Sequence, residues 1–229
     1  MDERDRTERS EQFWGRQLAK HVLLYPSEDV VRFLARTGPV PAGAECSGLD
    51  VGFGSGRHLK LLMDYGYRAH GIDLAANAIE VARSTFGGDP RLGDLVQGDI
   101  DTEAWPAETF RVAVVWGVLF LRDRRAMVRD LARLVRLLEP GGRVCLNLRT
   151  RESWFCGLGR ELDRDYFQLD ERAGPYSGAL YCFVDEPAAR ELVTSAGLDI
   201  ENFEQSDIWR GAEEERQRQS WWIVWARKA

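Results

Sequence analysis

The stretch Gly48-Leu49-Asp50-Val51-Gly52-Phe53-Gly54-Ser55-Gly56-Arg57-His58 decides the fold. An apolar run leads into a loop with glycine at every second position, and an amphipathic segment follows directly. The order strand, glycine loop, helix is typical of a nucleotide-binding turn. Glycine suits such a loop because it adopts unusual backbone angles and places no Cβ between the backbone and a ligand. A dinucleotide motif has the spacing G-x-G-x-x-G, whereas the third glycine here comes one residue earlier.

Composition limits the possible classes of protein. The chain has 229 residues and a formal net charge of -6, which fits one domain with a large apolar core. An acidic balance argues against unspecific binding to nucleic acid. Arginines crowd residues 122–136, and we interpret them as the solvated face of a helix. We expect residues 1–229 to form a single domain, with a helical cap over residues 1–40 and an insertion over residues 151–184.

The cysteines and residues 1–12 give no indication of a metal site, a disulfide framework or export from the cytoplasm. The four cysteines are scattered and have no histidine at ligand spacing, so we expect no metal site and no disulfide framework. Residues 1–12 are densely charged and lack the apolar core of a signal peptide, and no window is apolar enough to span a membrane. We therefore expect a cytoplasmic protein. The excess of arginine over lysine indicates a GC-rich, bacterial coding genome.

Short apolar runs alternate with amphipathic segments, which predicts an α/β fold with a parallel sheet between helices. We predict helices over residues 13–24, 27–36, 59–63, 75–84, 123–138 and 186–196. We predict strands ending at residue 51 and over residues 67–72, 95–98, 110–116, 143–148, 198–205 and 221–227. The segment 151–184 has no clear period and is predicted to be irregular.

Ligands of such sheets bind beyond the carboxyl ends of the strands, and three candidate residues follow strands. Asp73 closes the second strand, where a carboxylate can accept hydrogen bonds from a ribose, or can cap the next helix. Asp99 closes the third strand and is either a ligand for an adenine amino group, with Ile100 on the purine face, or an ordinary turn aspartate. Trp116 follows the fourth strand and forms a pocket wall, the core, or both.

The run D-x-G-x-G-x-G from Asp50 to Gly56, followed by these three strand ends, resembles class I S-adenosylmethionine-dependent methyltransferases. The resemblance covers residues 47–148 and, more loosely, the closing strand pair. It implies a Rossmann-like, doubly wound, seven-stranded sheet with six parallel strands and one antiparallel strand, residues 221–227, with helices on both faces. It also implies S-adenosylmethionine as cofactor. By resemblance, the residues at its methionyl end are Asp50, Gly52, Gly54 and Gly56. Asp73 with Leu74 would hold the ribose, Asp99 with Ile100 the adenine, and Trp116 would form a wall.

Methyl transfer from a sulfonium is an in-line displacement, in which alignment and exclusion of water can supply most of the rate. A general base is needed only when the acceptor arrives protonated. No catalytic residue is therefore assigned from the sequence. The candidates for a base are His21, His58, Asp123 and Tyr166.

The absence of certain motifs limits which class of molecule can be the methyl acceptor. The fourth strand is not followed by Asn-Pro-Pro-Tyr or Asp-Pro-Pro-Tyr, and there is no Pro-Cys dipeptide, so the marks of nucleic-acid base methylation are missing. We expect residues 13–25 and the aromatic insertion 151–184 to bind the acceptor. Their aromatic and polar residues suit a small organic molecule that is methylated at oxygen or nitrogen. Two alternatives stay open. One is methylation of a tRNA base or protein side chain through the arginine-rich helix, and the other is a cofactor-binding protein without catalysis. The oligomeric state is also open.

Overall fold

A computed structural model describes residues 3–20, 22–100, 102, 104–212 and 216–229. Helices and strands alternate over this part of the chain, as the sequence predicts. The helices are α1 (Glu3–Lys20), α2 (Glu28–Thr37), α3 (Arg57–Asp64), α4 (Ala76–Phe86), α5 (Arg124–Leu137) and α6 (Glu186–Ser195). The strands are β1 (Ser47–Val51), β2 (Arg68–Asp73), β3 (Leu92–Gln97), β4 (Phe110–Val115), β5 (Leu138–Thr150), β6 (Arg160–Asp163), β7 (Tyr166–Gln168), β8 (Leu180–Val184), β9 (Leu198–Arg210) and β10 (Gln217–Lys228). None of the described helices is long and apolar enough to cross a membrane.

The central sheet has the strand order β3-β2-β1-β4-β5-β10-β9. The first five strands pair in parallel, and β10 pairs antiparallel with both β5 and β9. Because β9 is antiparallel to β10, it runs in the same direction as β5. The predicted sheet of six parallel strands and one antiparallel strand is therefore confirmed, and the antiparallel strand contains residues 221–227.

Both faces of this sheet are covered by helices. Along β4, alternate side chains enter different core clusters: Ala113 packs with one cluster, and Val112 and Val114 pack with the other. The first cluster includes Leu131 of α5 and residues of α6, and the second includes residues of α2, α3 and α4. A strand that is apolar on both sides is typical of a sheet buried between two helical layers.

The segment 151–184 is more regular than its sequence predicts. Strands β6, β7 and β8 form a small antiparallel sheet, and β8 also pairs in parallel with the end of β5, where Arg149 lies opposite Phe183. The prediction of an irregular segment is wrong because strands of three to five residues are too short to show a clear alternation of polar and apolar residues.

Helix α1 also differs from its prediction. It begins at Glu3 and ends at Lys20, whereas the apolar residues predict a helix over 13–24. Charged contacts support the earlier start, since Arg4 pairs with Glu8 one turn later and Arg6 pairs with Asp123 at 2.5 Å. Residues 22–24, predicted to be helical, form an exposed connection to α2.

Candidate active site

The glycine loop joins β1 to α3 and adopts backbone angles that favour glycine. Gly52, Gly54 and Gly56 have φ values of +68°, +54° and +79°. A side chain at Gly52 would place its Cβ 2.1 Å from Val118 Cγ1, so this position requires glycine for two reasons. A Cβ at Gly54 would have no atom within 4 Å, because the loop faces open space there.

Asp73 holds this loop against the end of β2. Its Oδ2 accepts a hydrogen bond from the Gly54 amide at 2.8 Å, and its Oδ1 accepts one from the Ala75 amide at 2.9 Å. Burial raises the pKa of Asp73, and the two amide bonds oppose that shift. The alternative role of helix cap is not found, since Ala75 is the N-cap of α4 and makes no side-chain capping bond.

Asp50 lies behind the loop, in the middle of the sheet. It is 1 % exposed, and neither carboxylate oxygen has a hydrogen-bond partner among the described residues. Burial raises its pKa to about 8, while the charge of Arg57 acts in the opposite direction. Asp50 is therefore largely protonated at neutral pH, and it underlies the loop instead of lining the space above it.

A cavity of about 700 Å³ extends across the carboxyl ends of the parallel strands. One half of it is formed by most of the residues that the sequence singles out, namely Gly52, Gly54, Asp73, Leu74, Asp99, Ile100 and Trp116. Asp50 and Gly56 are close in the chain but do not line this cavity. The site is therefore at the edge of the sheet where ligands of such folds bind.

Asp99 has a charged partner that the sequence does not reveal. Its Oδ2 lies 2.8 Å from Arg122 Nη1, and Arg122 Nε lies 3.3 Å from Asp130 Oδ2. The other oxygen of Asp99 accepts a hydrogen bond from the Ile100 amide at 2.7 Å. Asp99 is thus held in a fixed orientation at the cavity wall, with Ile100 beside it.

The other half of the cavity is aromatic. Its walls come from α1, the turn after β4, the insertion and β10, through Trp14, Phe120, Tyr176, Tyr181 and Trp221. Phe120 stacks on Tyr181 with ring centroids 5.3 Å apart, and Trp14 lies 6.4 Å from the same ring.

Two polar residues of β5 also line the cavity, and sequence reasoning missed both. Asn147 Oδ1 accepts a hydrogen bond from the Gly117 amide at 2.8 Å, which fixes the turn after β4. Arg149 is 4 % exposed and lies among the aromatic rings. A signal for them existed: residues 145, 147 and 149 share one face of the strand, and the last two are polar in an otherwise apolar run.

His58 lines the cavity but is a poor candidate for a base. It is 4 % exposed, and its Nε2 accepts a hydrogen bond from the Ser27 amide at 3.2 Å. Burial, and then the charge of Arg57, lower its pKa to about 3. His58 therefore holds the start of α2 in place, and its imidazole is too weak a base to take a proton from an acceptor near neutral pH.

Two of the other candidates for a base, Asp123 and Tyr166, do not line this cavity. Asp123 caps α5 by accepting a hydrogen bond from Ala126 N at 2.9 Å, and it pairs with Arg6. The Tyr166 hydroxyl is buried and donates to Leu121 O at 3.1 Å. Both residues line a separate cavity of about 10 Å³. His21 lies outside the described residues.

Comparison with known proteins agrees with this geometry. Residues 49–142, which contain the glycine loop, Asp73, Asp99 and Trp116, match the model of a methyltransferase domain family. No curated protein matches the chain significantly.

Solved structures share the fold over most of the chain. An S-adenosylmethionine-dependent methyltransferase from Methanosarcina mazei is 17% identical with a TM-score of 0.66, covering 90% of this chain and 99% of its own. One from Mesorhizobium loti is 19% identical with a TM-score of 0.61, covering 82% and 94%. The 1,6-didemethyltoxoflavin-N1-methyltransferase of Burkholderia thailandensis, solved with 1,6-didemethyltoxoflavin and S-adenosylhomocysteine, is 20% identical with a TM-score of 0.65, covering 97% and 88%. At such identities these structures establish the fold.

Residues 49–142 thus contain a methyltransferase domain, and the chain has the fold of solved S-adenosylmethionine-dependent methyltransferases. The matched domain is a methyltransferase domain, and the methyl donor named for the similar solved structures is S-adenosylmethionine. The site suits this group, because the open face of Gly54 and the large cavity beside Asp73 leave room for a nucleoside and a second small molecule.

Proposed function

We propose that the protein transfers a methyl group to an oxygen or nitrogen atom of a small organic molecule. The observation that carries this proposal is a continuous cavity of about 700 Å³ with two unlike halves. One half contains the glycine loop and carboxylates, and the other is a wall of aromatic rings. Such a wall suits a planar organic acceptor next to the cofactor.

In this proposal each polar residue of the cofactor half has a role. Asp73 accepts hydrogen bonds from the ribose hydroxyls, since each carboxylate oxygen still has a free lone pair beside its amide donor. Leu74 lies next to it, Asp99 accepts from the adenine amino group, and Ile100 packs on the purine. The loop of Gly52 and Gly54 takes the methionyl end, with Gly56 and Asp50 supporting the loop from behind.

The acceptor half is formed by the segments at both sides of the family match. Helix α1, in the cap of residues 1–40, contributes Trp14, and the insertion 151–184 contributes Tyr176 and Tyr181. S-adenosylmethionine supplies an electrophilic methyl group on sulfur. The protein's contribution is to align the acceptor and exclude water, which requires no base on the described wall when the acceptor atom arrives deprotonated.

Methylation of a tRNA or a protein side chain has less support. Three arginines of the segment 122–136 are in ion pairs: Arg122 with Asp99, Arg124 with Asp165, and Arg133 with Asp130. Paired cations offer less charge to a phosphate backbone than free ones.

Mass spectrometry tests the proposal. The protein is incubated with S-adenosylmethionine and a metabolite extract, and we expect a small molecule to gain one methyl group. The variant Asp73→Ala is the inactive comparison. A methyl group that appears on RNA or protein and on no small molecule would overturn the proposal.

A further inference from the structure

Arg149 is a cation inside the acceptor half of the cavity. It lies at the end of β5, opposite Trp221 of β10, and is 4 % exposed. Four aromatic rings surround its guanidinium, with the Trp221 ring 4.1 Å, the Phe155 ring 5.1 Å and the Phe120 ring 5.5 Å from its central carbon. The fourth ring, Tyr181, is 5.8 Å away. Aromatic rings stabilise a guanidinium through its faces but leave its in-plane N–H groups without acceptors.

This arginine has no counter-ion among the described residues. Its Nη1 donates to the neutral amide oxygen of Gln219 at 2.9 Å, and its Nε has no described acceptor. The hydroxyls of Tyr176 and Tyr181 lie beside it as hydrogen-bond partners, but neither residue is a carboxylate. Arg122 and Arg124, which are more exposed, each pair with carboxylates. A buried charge without an opposite charge is unusual, because its desolvation is left uncompensated.

The position of Arg149 separates it from the cofactor residues. In the sheet order, β5 is three strand spacings from β2, where Asp73 lies. This corresponds to about 14 Å. A ligand group at Arg149 therefore leaves the loop and Asp73 available to the cofactor.

We propose that Arg149 binds the carboxylate of a planar aromatic acceptor, which supplies the missing negative charge. A carboxylate matches the planar fork of a guanidinium with two parallel hydrogen bonds. The ring that carries the carboxylate then packs among Trp14, Phe120 and Tyr181. This inference rests on the proposed function, because it concerns the acceptor half of the same cavity.

Comparing aromatic acids with their uncharged carboxamides tests whether the site requires a negative charge on the ligand. The protein saturated with S-adenosylhomocysteine is heated with benzoate, 4-hydroxybenzoate or indole-3-carboxylate, and separately with the corresponding carboxamides. We expect at least one acid to raise the melting temperature more than its amide does. The proposal is wrong if no acid stabilises the protein more than its amide.

Variants then locate the effect. Arg149→Met keeps an unbranched apolar stem and removes the charge, and it should weaken binding of the preferred acid by about 10- to 100-fold, as expected for a lost charge-assisted hydrogen bond. Arg210→Met is the matched control, since Arg210 lines the same cavity but is exposed. Acid binding that Arg149→Met retains, or that Arg210→Met loses to the same degree, contradicts the proposal.

A second variant keeps the test decisive if Arg149→Met does not fold. Gln219→Glu places a carboxylate within reach of Arg149 Nη1 and should act as an internal counter-ion. We expect a higher melting temperature without ligand and no preference for acids over amides. A full preference in this variant would show that the acids bind elsewhere.

Calorimetry with S-adenosylhomocysteine separates the two proposals. All three variants should bind it with wild-type affinity, because the altered residues are far from Asp73. If acids bind through Arg149 but no small molecule is ever methylated, the proposed function fails and the anion site stands. If small molecules are methylated without any preference for acids, the anion site fails alone.

Discussion

At the scale of single residues, Asp73 holds the glycine loop and is proposed to bind the ribose, and one substitution will affect both roles. We expect Asp73→Ala to weaken S-adenosylhomocysteine binding by about 1.5–3 kcal/mol, the range for lost hydrogen bonds to a charged group. Part of this loss comes from the Gly54 amide, whose acceptor disappears. Titration calorimetry measures the change.

Asp89→Ala is a matched control for this experiment. Asp89 also accepts a hydrogen bond from a backbone amide two residues later, that of Arg91, but it does not line the cavity. Wild-type affinity in folded Asp73→Ala would refute the ribose assignment.

Asp50 leads to a prediction about pH. Its pKa is raised from 3.8 to about 8, so between these values the native state binds the proton more tightly than the unfolded state. Its stabilising contribution is complete below pH 4 and is lost as the pH rises toward 8, by up to about 1.4 kcal/mol per pH unit.

Asp50→Asn cannot ionise and should escape this loss. The difference in unfolding free energy between variant and wild type should therefore move in favour of the variant from pH 5 to pH 8. Urea titrations at several pH values measure it. A difference that does not change with pH would mean that Asp50 is ionised in the native state.

At the scale of elements, the glycine loop combines two constraints that substitution can separate. Gly43 has a φ of +83° with open space around its Cβ position, so Gly43→Ala should cost about 1–2 kcal/mol for backbone strain alone. Gly52→Ala adds a contact 2.1 Å from Val118 Cγ1 and should cost about 1–3 kcal/mol more. Chemical denaturation compares the two variants, and equal costs would mean that Val118 moves freely aside.

The sequence predicts the elements of the central sheet because their apolar runs are long. Strand β4 is apolar at five of its six positions, and α6 is framed by its Asp185 cap and by Gly197, so both were predicted to within one residue. Helix α1 was misplaced because its first ten residues are all charged or polar, and their support is Arg6–Asp123, a contact between distant parts of the chain.

The residues of the site also divide into those that local sequence patterns predict and those that depend on contacts between distant parts of the chain. Residues directly after strands could be proposed from the sequence, since sheet geometry brings those positions together. Arg149 could not, because its surroundings come from β10, the insertion and the turn after β4. Its buried acceptor, Gln219, is 70 residues away in the chain. Only the folded structure shows that this arginine has no described carboxylate beside it.

At the scale of the whole molecule, charge leads to a prediction about RNA. The net charge is -6, and several arginines of the segment 122–136 are paired with carboxylates. We expect filter binding to detect little tRNA retention between about 50 and 200 mM salt, the range over which phosphate contacts weaken steeply.

The exposed arginines of that segment provide the comparison. A double variant, Arg125→Glu and Arg136→Glu, should behave as the wild type in the same assay, because these side chains are not needed for a small acceptor. Tight wild-type binding that falls steeply with salt and is lost in the double variant would favour a macromolecular acceptor.

Helix α1 has a consequence for the order in which the molecule assembles. Its anchors are all far along the chain: Gly15 accepts from Asn77, Trp14 lies against Tyr181, and Arg6 reaches Asp123. Although α1 precedes these partners in the chain, it can complete its docking only after β8 has formed. Contacts between residues so far apart in the chain are costly to form early in folding, because a long loop must close first. Helix α1 lines the cavity through Trp14. We expect this helix to move aside when an acceptor enters or a product leaves, while the central sheet stays folded.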